Sequence, residues 1–526
     1  MAPAADGICR VSILESLFGR KKDAAASAPA EAKRPNRFRA DADAFIRRCG
    51  VWRDVFGEAA AADGKAAHVA VVVSPWISTP VPFFSMECAL ALANAGQRVT
   101  VIWDAVEIVG NVPEKKHVDV IASVLRELPP GISVVDVSTA PARPSDHDAG
   151  PARRIIYENA VRNVRGEMNV ADFFVAHPGA EADTLAHFAR IRGTLAAGAF
   201  DWLLTPGGIF GVSAVYLEIA RELGLSYSTF DSGPGRLRLV HDGIAAHLAD
   251  LPRAFEIANR ELTPREKETA RTLGREELAR RTQGADDRGF QVAVATGASE
   301  RCDILIPLNI RWDSAALFRQ RLFATVEENI AAVLEWAAGR RDVTVCIRQH
   351  PNERRDHLRG SDNWSAVIER FSHLGERIRW IAAVDPVSTY DLIQSAKVIL
   401  PHTSTVGVEA ALLGRPVILS TLVYYAGFPF VWNPGAREEF FALIDAALRG
   451  GLSVSVPAME DAALVYFMTQ QCAVMRTPFT PQNDDFAQWV ATPPGALWQA
   501  PEPADFLTAM RTREPLAAIR ARRLLR

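Results

Sequence analysis

The sequence predicts an α/β protein built from two parallel-sheet domains. Three observations carry that expectation. Short β-branched runs alternate with helix-like stretches from His68 to Asp231, and the same rhythm restarts at Asp303. Such alternation gives parallel strands with helices on both faces. Between the two runs, residues 252–283 are charged, helix-prone and without strand signals, as suits a helical linker. The chain has 526 residues, too many for one ordinary core. The expected division is a loosely ordered extension over 1–45, a first domain over 46–250, a linker over 251–299, a second domain over 300–450 and a tail over 451–526 that packs back on the body.

Taken in order, Val69–Ser74 reads as the first strand, Phe84–Gly96 as a helix and Arg98–Asp104 as the next strand. A helix near 114–127 leads to a strand at Ile132–Val137. An insertion rich in Ala, Pro, Asp and Arg precedes a helix near 182–198, then strand Asp201–Thr205, helix Val212–Gly224 and strand Ser226–Asp231. The second run opens with strand Asp303–Leu308 and a long helix over about 314–339. Strand Val343–Arg348, a helix near 363–373, strand Ile378–Ala382 and helix Thr389–Ser395 follow. Lys397–Pro401 and Pro416–Ser420 read as two further strands, and helices are expected near 436–449 and 459–475 before an irregular Pro- and Trp-rich tail.

Composition narrows the class. Hydrophobic residues make up 48% and charged residues 23%, the balance of a soluble globular enzyme. The net charge of −3 lacks the basic excess of a broad nucleic-acid footprint, so no nucleic-acid partner is expected. Cys9, Cys49, Cys88, Cys302, Cys346 and Cys472 are scattered without a CxxC pair, which reads as reduced packing cysteines in a cytoplasmic protein. No apolar run approaches the roughly 20 residues of a membrane span, and no signal peptide is visible. Residues 11–22 place Val11, Ile13, Leu14, Leu17 and Phe18 ahead of Gly19-Arg20-Lys21-Lys22. That pattern fits a peripheral inner-membrane foot, a docked short helix or disorder. Asp41-Ala42-Asp43 has a chelating spacing but no preceding strand, and reads as a solvated helix start; no metal site is expected.

Ligands of open α/β sheets bind beyond the carboxyl ends of the strands. The second run delivers polar residues there from every expected strand. Asn309 and Arg311 follow the first, and Arg348, His350 and Pro351 end the second. Asp385 to Tyr390 follow the third, and His402-Thr403-Ser404-Thr405 the fourth. The last of these turns opens a helix whose free N–H groups suit an anion. Gly407 allows close approach of backbone or ligand. Glu409, in the first helical turn, suits a cap and also the hydroxyls of a sugar. His350 is a candidate donor to phosphate, and Arg311 and Arg348 are candidates to neutralise a diphosphate or carboxylate. The first run offers Thr205-Pro206-Gly207-Gly208-Ile209-Phe210-Gly211, a phosphate cradle or an empty tight turn. It also offers Asp231 as candidate base or nucleophile, with His241 behind it.

His350-Pro351, Thr403 through Ala410 and Gly414-Arg415-Pro416-Val417 resemble capsule and surface-polysaccharide synthesis proteins. That group includes the Kdo transferases of capsule and lipopolysaccharide assembly, and more distantly the CDP-glycerol transferases of wall teichoic acid. The resemblance covers about 300–421; Phe230-Asp231-Ser232-Gly233 and Asp242-Gly243 match the acceptor domain more loosely. The chain has Tyr424-Tyr425-Ala426-Gly427-Phe428 where the capsule Kdo transferases carry a Gly-Trp-Gly run. The resemblance implies the GT-B fold, two Rossmann-like domains facing a central cleft. It implies a nucleotide-sugar donor in the second domain and a glycan or lipid-linked glycan acceptor, with no metal or other cofactor. Asp231 would then deprotonate the acceptor or attack the sugar, in a site that closes by hinge motion near 285–300. A sugar-nucleotide 2-epimerase and a non-catalytic polysaccharide biosynthesis or export partner remain as alternatives.

Overall fold

The computed structural model describes residues 66–75, 81–106, 115–233, 236–284, 302–476 and 501–526, with scattered positions from 42 to 49. The 11–22 segment, Asp41 of the DxD, the hinge over 285–300 and tail residues 477–500 lie outside the described residues.

The first half holds β1 (His68–Val73), β2 (Arg98–Trp103), β3 (Ile132–Asp136), β4 (Trp202–Pro206), β5 (Ser226–Gly233) and β6 (Arg236–His241). The second holds β7 (Ile304–Pro307), β8 (Val345–Arg348), β9 (Ile378–Ile381) and β10 (Val398–Ile399). A short β11 (Met475–Arg476) comes from the tail. The strands form a seven-stranded sheet of order β11-β6-β5-β4-β1-β2-β3 and a four-stranded sheet of order β10-β7-β8-β9. Every pairing is parallel except β5 with β6 and β6 with β11.

Side-chain alternation on these strands feeds two cores per sheet. Val69, Val71 and Val73 of β1 pack under helix Val81–Asn94. Ala70 and Val72 face the opposite core, under helices Ala149–Val164, Ala180–Ala197 and Val212–Glu222. In the second half, Ile304, Ile306, Val345 and Ile347 pack against helix Val326–Ala338, while Leu305 and Cys346 face the other way. Apolar burial on both faces is why these strands read as continuous hydrophobic runs.

Five expectations are corrected. The insertion after β3 is helical, at Ala149–Val164 and Val170–Ala176, because Ile155, Ile156, Ala160 and Val161 bury one face. The helix expected from about 314 begins at Val326, capped by the Thr325 hydroxyl accepting from Glu328 N at 3.0 Å. The preceding residues bond to the first half instead: Phe318 N donates to Glu158 Oε1 at 3.0 Å, and Gln320 Nε2 to Glu167 Oε1 at 3.3 Å. The strand expected at Pro416–Ser420 reduces to the bridges Ile399–Val417 and Ile418–Trp432. An antiparallel strand, β6, extends the first sheet. Part of the irregular tail is helical, at Pro501–Thr512 and Leu516–Leu525.

The charged helix Pro264–Thr282 starts with a capping box between Thr263 and Glu266. It lies close against helix Val456–Phe467, where Gly274 faces the Ala463 carbonyl with no room for a Cβ. Leu516 and Ile519 of the last helix join the core of the first half, and Ala517, Ala518 and Ala521 join that of the second.

Candidate functional site

In the second sheet β7, β8 and β9 run outward in order and β10 returns to the other side of β7. The strand order therefore reverses between β7 and β10, where a ligand crevice is expected. The loops leaving these two strands meet there, with Thr403 N donating to Asn309 Oδ1 at 3.1 Å. An open cavity of about 180 Å³ occupies the switch point. Asn309, Arg348, His350, Pro351, Thr403, Ser404, Thr405 and Glu409 all line it.

The His350 ring accepts a hydrogen bond from Asn352 N on Nδ1 at 3.2 Å, so its proton sits on Nε2. Burial pushes the imidazole down to about 4, with Asp313 pulling the other way. A neutral donor therefore lines the cavity at physiological pH. Arg348 is fully buried at the end of β8 and spans two backbone carbonyls, those of Ala382 and Val387. Burial lowers its guanidinium to about 10, with the Asp385 carboxylate pulling the other way but forming no ion pair with it among the described residues. Its Nε, together with Arg281 Nε, Thr389 Oγ1 and Thr403 Oγ1, is buried without a partner, and all four residues line this cavity. Such orphaned groups are costly unless something else satisfies them.

Glu409 is already engaged. Arg281 Nη1 reaches its Oε1 at 2.8 Å, Tyr466 Oη donates to Oε1 at 3.1 Å, and Tyr390 Oη to Oε2 at 3.3 Å. It forms a charged floor to the cavity and keeps little acceptor capacity for a sugar diol. Gly407 serves packing rather than ligand approach, because a Cβ there would overlap the Tyr425 hydroxyl. That hydroxyl donates to Ser404 O at 2.6 Å. The turn also satisfies most of its own amides: Val406 N bonds Ser404 Oγ, and Gly407, Val408 and Glu409 N bond Ser404 and Thr405 carbonyls. The helix that follows, Val406–Leu412, has seven residues. The free-amide anion cradle expected from the sequence is thus reduced, and side chains carry the site.

Arg311 lies outside the cavity. It is buried between Glu167 and Glu158 of the first half, with Glu158 Oε2 at 3.9 Å. It ties the halves together, and the diphosphate role expected for it is not supported by this position. His241 is also placed elsewhere. It pairs with Ser228 near the start of β5, away from the carboxyl edge, with Nδ1 at 2.7 Å from Ser228 Oγ and its ring edge-on to Trp202. Asp231 stands near the carboxyl end of β5 opposite Arg238 and is half-buried. It shares the field of Arg162 with Asp313 of the second half, and Asp313 in turn acts on His350. Asp231, Arg162, Asp313 and His350 therefore form an electrostatic chain from one half to the other. Arg162 lies over the rings of Phe210 at 4.0 Å and Trp312 at 5.5 Å.

Arg162 and Arg281 are the residues that sequence reasoning missed. Arg162 sits on the helix read as an insertion, where Ile155, Ile156 and Val161 gave a usable helical spacing. Arg281 sits on a helix whose charge made every arginine look solvated. The Gly-rich turn of the first half resolves to a tight turn: Gly207 N bonds Phe230 O, Gly208 N bonds Ser213 Oγ, and Gly211 N bonds Asn159 Oδ1. Among the described residues no cluster of three or more His, Cys, Asp or Glu side chains is arranged to hold a metal ion. No described helix is long and apolar enough to cross a membrane.

Two Rossmann-like α/β halves, with a polar cavity at the switch point of the second, define the GT-B class. Within it, residues 265–439 match the family of capsule polysaccharide biosynthesis proteins, so the resemblance read from His350-Pro351 and Thr403–Ala410 holds over that segment. Curated proteins give no match. Among solved structures, the chain is similar to a KpsC beta Kdo 2,7 transferase from Thermosulfurimonas dismutans. That match has 16% identity over 57% of this chain and 87% of that one, with a TM-score of 0.34. It is also similar to a UDP-GlcNAc 2-epimerase from Neisseria meningitidis. Here the identity is 13%, over 75% of this chain and 97% of that one, with a TM-score of 0.23.

Proposed function

We propose that the chain is a glycosyltransferase that moves a sugar from a nucleotide-sugar donor to a cell-surface glycan acceptor without a divalent metal. The observation that carries this reading is the cavity at the β7/β10 switch point, with its neutral His350 and its buried Arg348. Arg281 and Glu409 cancel, so Arg348, within the field of Asp385 but in no ion pair with it among the described residues, is the cationic side chain left on the lining. One charge suits one phosphate. We therefore assign the donor as a nucleoside monophosphate sugar, such as a CMP-linked acidic sugar of the CMP-Kdo type.

In the transfer, an acceptor hydroxyl oxygen bonds to the anomeric carbon as the bond from that carbon to the phosphate oxygen breaks. Asp231 takes the hydroxyl proton. The nucleotide leaves with an added negative charge, stabilised by Arg348 and by the His350 Nε2–H. Residues 11–22 are the proposed contact with the inner membrane, on its cytoplasmic side.

A thermal-shift panel of CMP, CDP, UDP and GDP tests the donor site, because only a ligand of the folded state raises the melting temperature. CMP should give the largest shift, and His350→Ala should remove most of it. No shift with any nucleotide, or a shift indifferent to His350→Ala, would overturn the assignment. Asp231→Asn should leave the CMP shift intact while product formation falls by about 10²-fold or more. Turnover of donor alone, without acceptor, would point to an epimerase instead.

A further inference from the structure

A second cavity, of about 510 Å³, lies in the seam between the halves and shares no lining residue with the first. The loop after β7 separates them, with Ala315 on one cavity and Phe318, Arg319 and Gln320 on the other. Ile155, Ala214, Leu217 and Ile244 give the second cavity an apolar side. Apart from Phe318 and Ala249, the side chains of the remaining wall are polar, as a wall facing a sugar ring needs to be.

Its charges are nearly all spoken for. Arg154 pairs with Glu218 at 2.6 Å, and Arg221 with the same carboxylate at 3.1 Å. Asp242 receives both its hydrogen bonds from Arg513 at 2.8 Å. Glu158 Oε1 accepts from Phe318 N, and its nearest cation is Arg311 of the seam. Arg319 differs. Its Nε donates to Leu422 O and its Nη1 faces His247 Nδ1 at 3.3 Å, and no carboxylate pairs with it among the described residues. Burial brings the guanidinium down to about 10, opposed only by Tyr425.

The neighbouring histidine fixes its direction. His247 Nε2 sits 3.1 Å from the Ser314 carbonyl, with the Leu317 carbonyl also acting on the ring; the tautomer that donates from Nε2 to Ser314 leaves Nδ1 to accept from Arg319. The ring is thereby a neutral strut and not a competing cation, and burial keeps it so by pushing it down to about 3. Among the described residues Nη2 has no hydrogen-bond partner. An oriented, half-buried guanidinium with an unused edge on an amphipathic cavity is a recognition element for a planar or tetrahedral anion.

We propose that this second cavity binds an anionic sugar residue, a carboxylate or phosphate carried on a polyhydroxylated ring, with Arg319 as its charge partner. The cavity is walled mainly by the first half, so on the transferase reading the sugar belongs to the acceptor glycan. The binding claim itself stands on the cavity and does not need that reading.

The test uses the full chain and three probes in titration calorimetry: glucuronate, glucose 6-phosphate and glucose. Binding of glucuronate or of glucose 6-phosphate, with glucose at least tenfold weaker, supports the site and tells which anion it takes. Equal binding of all three, or of none, overturns it. Arg319→Gln should weaken the anionic probe by about tenfold or more. Because Arg319 also holds the Leu422 carbonyl, a second variant works in the opposite direction. Glu218→Ala, at the rim, releases Arg154 and Arg221 and should tighten the anionic probe severalfold; weakening or no change there counts against the proposal. Saturating CMP should leave the probe's affinity unchanged if the cavities are separate sites. Loss of anion binding with the CMP shift intact sinks the second cavity alone, whereas loss of the CMP shift with anion binding intact sinks the donor site alone.

Discussion

Both sheets reverse strand order beside their first strand, and the two switch points have been put to different uses. In the second half, between β7 and β10, the loops leave orphaned polar atoms on an open cavity. In the first half the reversal lies between β1 and β4, and the described residues there make contacts of another kind. The glycine turn there bonds its amides internally, and Ser74, Asp104 and Thr205 are buried. Asp104 takes His187 Nε2 at 2.9 Å, with both side chains fully excluded from solvent. The open switch point has a charged floor, Arg281 with Glu409, that is joined to the linker helix. Orphaned polar atoms occur at both switch points, Thr205 Oγ1 and His187 Nδ1 in the first half among them, so what sets the second apart is the open cavity onto which its orphans face.

The sharpest way to break this comparison is at the floor of the open site. Glu409→Gln strands the Arg281 guanidinium without its counter-charge, and should cost about 3–5 kcal/mol in urea unfolding. If Glu409 acted mainly as a sugar ligand, the variant would instead unfold normally and lose nucleotide affinity.

A somewhat smaller effect is expected in the seam that holds the halves together. Burial lifts Glu158 from 4.5 to about 7, with Arg311 the largest opposing influence. The folded state then holds this proton more tightly than the unfolded chain does. The contribution of Glu158 to stability is fully present below pH 4.5 and lost as pH rises through 7. Glu158→Gln should match the parent near pH 4 and exceed it at pH 8 by up to about 3 kcal/mol. The difference between the two stability curves is the informative quantity, since Asp250, also raised to about 7, titrates equally in both. A flat difference curve would mean that the Glu158 carboxylate is better solvated than the seam indicates.

The smallest effect concerns the motif turn. Gly407→Ala drives a methyl group into the Tyr425 hydroxyl and should cost about 1–3 kcal/mol in thermal or urea unfolding, with nucleotide affinity little changed. Loss of nucleotide binding without loss of stability would return Gly407 to the role of ligand approach.

These contrasts also mark what the sequence could and could not tell. His350-Pro351 and Thr403-Ser404-Thr405 were legible because each is a compact run placed directly after an apolar strand, so local pattern alone puts them at the sheet edge. Asn309 followed by the same logic. Arg281, Arg162 and Arg319 were not legible, because each reaches its place through tertiary packing of a helix or loop that carries no periodic signal for it. Arg311 was misread for a related reason. It follows a strand as a ligand residue would, but the seam carboxylates Glu158 and Glu167 lie about 150 positions earlier in the chain. The α/β alternation gave most of the strands, whereas the helix at Ala149–Val164 was hidden by its Ala-, Pro- and Arg-rich composition.

The helix Leu516–Leu525 lends side chains to the cores of both halves, and β11 closes the far edge of the first sheet. On a ribosome this sets an order of events. Each half can collect its own strands as they emerge, but the edge of the first sheet stays unpaired until Met475 appears. The apolar seats of Leu516, Ile519 and Ala518 stay open for longer still. For that interval the nascent chain presents a bare strand edge and two unfilled cores, the kind of surface that chaperones hold and that drives misassembly when they do not.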